Sequence, residues 1–119
     1  MPVVCDYAPV LDGVSRITPG SDFTARFNTG GREEGKAVLV FNLKSNGEGR
    51  LTVQINGVNV GQLEPYFDMN PNNWFSQTIL FDASVLSRSS DPNANVLQIE
   101  LEQGDVFVKD IVCFFKQDA

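Results

Sequence analysis

The stretch Arg50-Leu51-Thr52-Val53-Gln54-Ile55-Asn56-Gly57-Val58-Asn59-Val60-Gly61-Gln62-Leu63 decides the fold class. Leu51, Val53 and Ile55 alternate with Thr52 and Gln54, the two-residue rhythm of a strand that buries one face. Asn56-Gly57 follows, the dipeptide that best tolerates positive φ at both central positions of a type I′ turn. Strand 50–55 is therefore predicted to fold back on strand 58–63.

The same rhythm recurs at Leu97, Ile99 and Leu101, separated by Gln98 and Glu100. There, Gly104-Asp105 predicts a type II′ turn or bulged hairpin joining strand 95–103 to strand 106–115. Phe23, Ala25 and Phe27 predict a strand over 22–28, and the near-continuous apolar run after Lys36 predicts a central strand over 36–43. Further strands are expected at 73–81 and 2–7. No segment sustains a 3.6-residue period; Asp82 caps at most one helical turn through Ala83, Ser84, Val85 and Leu86. Loops fall at 28–35, 45–49, 64–72 and 87–94. These elements predict an all-β fold, an antiparallel, jelly-roll-like β-sandwich of about seven or eight strands. The pattern leaves the strand order open.

The chain has 119 residues, enough for one core, with 42% apolar and 20% charged residues, so residues 1–119 are read as a single domain. The formal charge of −6, with no two basic residues adjacent, argues against nucleic acid as a partner. Apolar runs such as 37–41 fall far short of the ~20 residues of a membrane-spanning helix, so no membrane insertion is expected. The N-terminus, Met-Pro-Val-Val-Cys-Asp-Tyr, lacks the basic start and apolar stretch of a secretory signal. That predicts a cytoplasmic address, or export by a non-classical route or as part of an assembly. Cys5 and Cys113 lie near opposite ends of the chain. If the first and last strands are neighbours, the two could face each other as a disulfide, or they are two small apolar side chains.

Residues 50–101 resemble the galactose-binding-domain-like jelly-roll superfamily, which includes many carbohydrate-binding modules. The resemblance rests on the stretch from Leu51 through Asn56-Gly57 to Gly61, on Trp74 opening a strand, on Phe81-Asp82-Ala83-Ser84-Val85-Leu86, and on Asn95-Val96-Leu97-Gln98-Ile99. Each element also has a mechanical reason: the turn makes the hairpin, Val85 and Leu86 plug the end of the core, and Asn95 can bond its own backbone at the strand start. The resemblance implies a jelly roll and raises glycan binding as a function, with the ligand contacts on variable loops. It also implies that a structural Ca²⁺ could sit near the terminal strands, where Asp6, Asp12, Asp22 and Asp110 are the available carboxylates. The alternative is that each of these is a solvated surface group.

The chain contains no histidine, so the commonest general base near neutral pH is missing. Phosphate-loop, Gly-x-Ser-x-Gly and Cys-x-x-Cys motifs are also missing. Fifteen acidic residues leave paired-carboxylate glycoside hydrolysis chemically open, but so short a sandwich seldom builds the cleft it needs, and the chain is read as a non-enzyme. The segment from Glu64 to Trp74 is the candidate ligand loop. Tyr66 and Trp74 offer faces for a sugar ring, while Asp68, Asn70, Asn72 and Asn73 can read hydroxyls, and Pro65 and Pro71 restrict the loop in advance. The competing reading has Trp74 and Phe67 roofing the core and the asparagines forming turns. Two functions are therefore expected: a lectin-like carbohydrate-binding module, or a structural subunit of a larger particle or filament, with a protein partner or further copies of itself as a homo-oligomer.

Overall fold

The computed structural model describes residues 3–64 and 73–118. In chain order the strands are β1 (Val3–Ile17), β2 (Phe23–Phe27), β3 (Lys36–Ser45), β4 (Arg50–Ile55), β5 (Val58–Leu63), β6 (Phe75–Asp82), β7 (Asn95–Gln103) and β8 (Val106–Asp118). They form two four-stranded antiparallel sheets, β1-β8-β3-β6 and β2-β7-β4-β5. The decisive hairpin forms as read: Ile55 pairs with Val58 across Asn56 (φ 52°) and Gly57 (φ 81°), both in the left-handed region that a type I′ turn needs. At the β7–β8 turn Gly104 has φ 105°, and a Cβ there would lie 2.7 Å from the Glu48 carbonyl oxygen, so only glycine fits. A 3₁₀ turn, Ala83–Val85, begins where Asp82 accepts a hydrogen bond from the Ser84 amide.

The largest departure from the sequence reading is β1. It runs 15 residues rather than ending near residue 7. Pro9 and Gly13 argue against a strand, yet β1 is an edge strand, where a missing amide donor does no damage. Its register against β8 slips between Pro9 and Leu11 and again between Leu11 and Val14. Those bulges erase the simple alternation by which the strand could have been read.

The core lies between the sheets. Inward side chains of β3 (Ala37, Leu39, Phe41, Leu43) and β8 (Val106, Val108, Ile111, Cys113) meet those of β4 (Leu51, Val53, Ile55) and β7 (Leu97, Ile99, Leu101). Leu86, 2% exposed, closes one end, as its place after the helical turn led one to expect. At that same end Asn95 is fully buried, and it does not bond its own backbone as the sequence suggested. Its Oδ1 accepts from Asn56 Nδ2 (2.9 Å) and the Ser87 amide (2.8 Å), and its Nδ2 donates to the Phe27 carbonyl (3.2 Å) and Thr29 Oγ1 (2.8 Å). One amide thus ties together the ends of β2 and β4 and the segment after the 3₁₀ turn.

Strands β1 and β8 are neighbours, but the disulfide between Cys5 and Cys113 does not follow. Cys113 stands opposite Ala8 and faces the core, whereas Cys5 stands opposite Lys116 and is exposed; both thiols are free. The offset of three residues is about 10 Å along the strand, beyond the reach of a disulfide. Burial pushes the Cys113 thiol up to about 12. Alkylation near pH 8 is therefore expected to add one label to the native protein and a second only after denaturation, counted by mass spectrometry. No label on the native, unreduced protein would contradict this arrangement.

Candidate functional site

The outward face of the sheet β1-β8-β3-β6 carries the most distinctive surface. Register places Phe107 opposite both Arg16 and Lys44, and Lys109 opposite both Val14 and Asn42. Trp74 immediately precedes β6, next to Phe75, which pairs with Leu43. From there its indole reaches over the sheet. The Lys109 Nζ lies 4.3 Å and the Lys44 Nζ 5.1 Å from its ring centroid, and Lys44 also lies 4.9 Å from the Phe107 ring. Arg16 stands 5.9 Å from Phe107 and forks onto Asp105 at 2.8 and 2.9 Å. The hydrogen bonds from Arg16, aided by one from Asn46, hold the Asp105 carboxyl below its usual range. Beside this cluster Ser76 Oγ donates to Asn42 Oδ1 at 3.1 Å, adding polar groups that can read hydroxyls.

Farther along the same face the surface turns apolar. Tyr7, Phe114, Val38 and Leu80 form one row across the four strands, with Tyr7 and Leu80 each 62% exposed and the Tyr7 and Phe114 rings 6.3 Å apart. Two clefts of about 410 and 420 Å³ open at the opposite end of the sandwich from Trp74. One is lined by Tyr7, Arg26 and Asn28 among others, the second by Arg32, Glu34, Asp82 and Arg88.

Of the candidate loop residues, Tyr66, Asp68, Asn70 and Asn72 lie outside the described residues, as does Phe67. Asn73 and Trp74 are described and adjacent, the first exposed and the second half-buried. Trp74 is no part of the core cluster, so the reading in which it roofs the core is corrected: it packs on the outside of the sheet. Its neighbours Lys44, Phe107 and Lys109 escaped the sequence reading. The segments forming β3 and β8 are nearly continuous apolar runs, so alternation does not mark their outward positions, and what joined these residues to Trp74 was the order β8-β3-β6, which the sequence does not reveal.

No family model matches the sequence, and no curated protein matches it. Solved structures do. Over 97% of its length the chain superposes, with a TM-score of 0.68 and 17% identity, on 21% of a beta-porphyranase of glycoside hydrolase family 86 from the human gut bacterium Bacteroides plebeius. It also covers 99% of the C-terminal family 6 carbohydrate-binding module of a marine laminarinase from Zobellia galactanivorans (TM-score 0.61, 12% identity, 92% of this chain). A family 35 carbohydrate-binding module from Clostridium thermocellum matches over 95% of this chain and 91% of its own (TM-score 0.53, 14% identity). The chain shares the jelly-roll β-sandwich fold of these structures. This jelly roll spans about a fifth of the glycoside hydrolase it matches and nearly the whole of each binding module.

Within the jelly roll, the carboxylates considered for Ca²⁺ lie on β1 (Asp6, Asp12), on β8 (Asp110) and just before β2 (Asp22). Asp6 accepts from the Tyr7 amide and Asp22 from Gln98, while Asp12 and Asp110 are exposed on β1 and β8. Among the described residues no three Cys, Asp or Glu side chains gather as a metal site would require. No helix among them is long and apolar enough to cross a membrane.

Proposed function

We propose that this chain is a non-catalytic carbohydrate-binding module that takes a glycan on the outward face of the sheet β1-β8-β3-β6, around Trp74. One observation carries the reading. The chain's one tryptophan is spent outside the core, half-buried over a sheet face, where an aromatic surface meets polar groups from Asn42, Ser76 and two lysines. A flat indole matches the apolar face of a sugar ring, and a rigid sheet beneath it keeps the entropy cost of binding low. The shared fold of the family 6 and family 35 modules supports the same reading, as does a family 86 glycoside hydrolase solved with neoagarooctaose, on which the chain superposes with a TM-score of 0.71. The rival expectation, an assembly subunit, gains no support from these neighbours.

The test is affinity electrophoresis through gels containing mixed polysaccharides. Trp74→Ala is expected to weaken retention at least about tenfold, with unchanged circular dichroism, since the ring contributes nothing to the core. Retention equal to that of the parent would remove the site.

A further inference from the structure

The charge on this face is uneven in a way that neutral sugar binding does not need. All four lysines of the chain, Lys36, Lys44, Lys109 and Lys116, rise from the outward side of the central strands β3 and β8. The protein as a whole carries −6, yet Lys44 and Lys109 both stand beside Trp74, while Lys36 and Lys116 lie toward the opposite end of the same face. The ion pairs found among the described residues are Arg16–Asp105 and Arg50–Glu102, and neither uses a lysine. Lys44 and Lys109 are held within 5.1 Å of one indole centroid, two like charges against a single ring. The ring's quadrupole offsets part of their repulsion, and an anion seated beside it would offset the rest.

We infer that the face around Trp74, Lys44 and Lys109 recognises an acidic polysaccharide, the indole stacking on a sugar ring while the two ammonium groups pair with its sulfate or carboxylate substituents. This deepens the proposed function and rests on it. Ammonium groups are compact, strongly hydrated point charges suited to either substituent, unlike the bidentate fork of an arginine. The net negative charge opposes long-range capture of a polyanion, so recognition is local and short-ranged.

Isothermal titration of the purified chain with a sulfated galactan, a polyuronate and an uncharged β-glucan tests this. At an ionic strength of about 0.15 M, where a Debye length of ~8 Å screens the distant negative charge but not the contacting ammonium groups, at least one acidic polymer is expected to bind about tenfold tighter than the uncharged one. At about 1 M, where it is ~3 Å, that advantage should shrink. The double variant Lys44→Gln/Lys109→Gln should lose the advantage, its affinity for the acidic polymer falling to that for the uncharged one. Lys44→Arg/Lys109→Arg should retain much of it, and Arg26→Gln/Arg88→Gln, away from this face, should leave it intact. Equal affinity for charged and uncharged polymers, or an advantage that survives the double Gln variant, overturns the inference while the glycan-binding function stands. Failure to bind all three overturns both.

Discussion

Replacing Asn95 with leucine is expected to destabilise the protein by about 3–5 kcal/mol, although the new side chain is similar in size and more apolar. The amide fills all four of its hydrogen-bonding positions, to Asn56, Ser87, Phe27 and Thr29, in a place with no exposure to water. Leucine fills the volume but leaves these partners facing hydrocarbon, and each stranded polar group costs about 1–3 kcal/mol. Thr29 keeps a bond to the Ser87 carbonyl and Asn56 keeps bonds to Val85 and Val96, which holds the total to the range given. Urea unfolding followed by circular dichroism measures it. A loss below about 1 kcal/mol would mean that the network does not hold the end of the sandwich together.

Phe41→Ala is expected to cost about 3–5 kcal/mol by the same measurement. Phe41 lies on central strand β3 with zero exposure, between the sheets, so its removal leaves a cavity that rigid strands on both sides cannot close. Leu80→Ala supplies the contrast. Leu80 is also on the first sheet but points outward and is 62% exposed, so its loss should change stability by no more than about 0.5 kcal/mol. Comparable costs at the two positions would contradict the assignment of inner and outer faces.

How far the sequence spoke depended on how local each signal was. The β4–β5 hairpin, the β7–β8 turn and the capped 3₁₀ turn were legible because neighbouring residues carry their whole reason: positive φ at Asn56, Gly57 and Gly104, and a carboxylate at Asp82. Strand β1 was only partly legible, since Pro9, Gly13 and two bulges interrupt its period, and its continuity is imposed by pairing with β8. Asn95 announced itself as a strand-leading asparagine but not as a buried hub, because its partners lie 8 to 68 residues away. The candidate site follows the same rule. Trp74 was singled out from the composition of its loop. Lys44, Phe107 and Lys109 come to it only through the spatial order of strands 6, 3 and 8, which depends on long-range packing rather than on any neighbouring residue.

Because Trp74 is the chain's single tryptophan, its fluorescence reports on the proposed site without any label. Titration with an oligosaccharide that the protein retains in the gel should shift or quench the emission saturably, with a midpoint equal to the calorimetric Kd. An emission spectrum that stays constant while calorimetry registers binding would place the sugar elsewhere on the molecule and contradict the account.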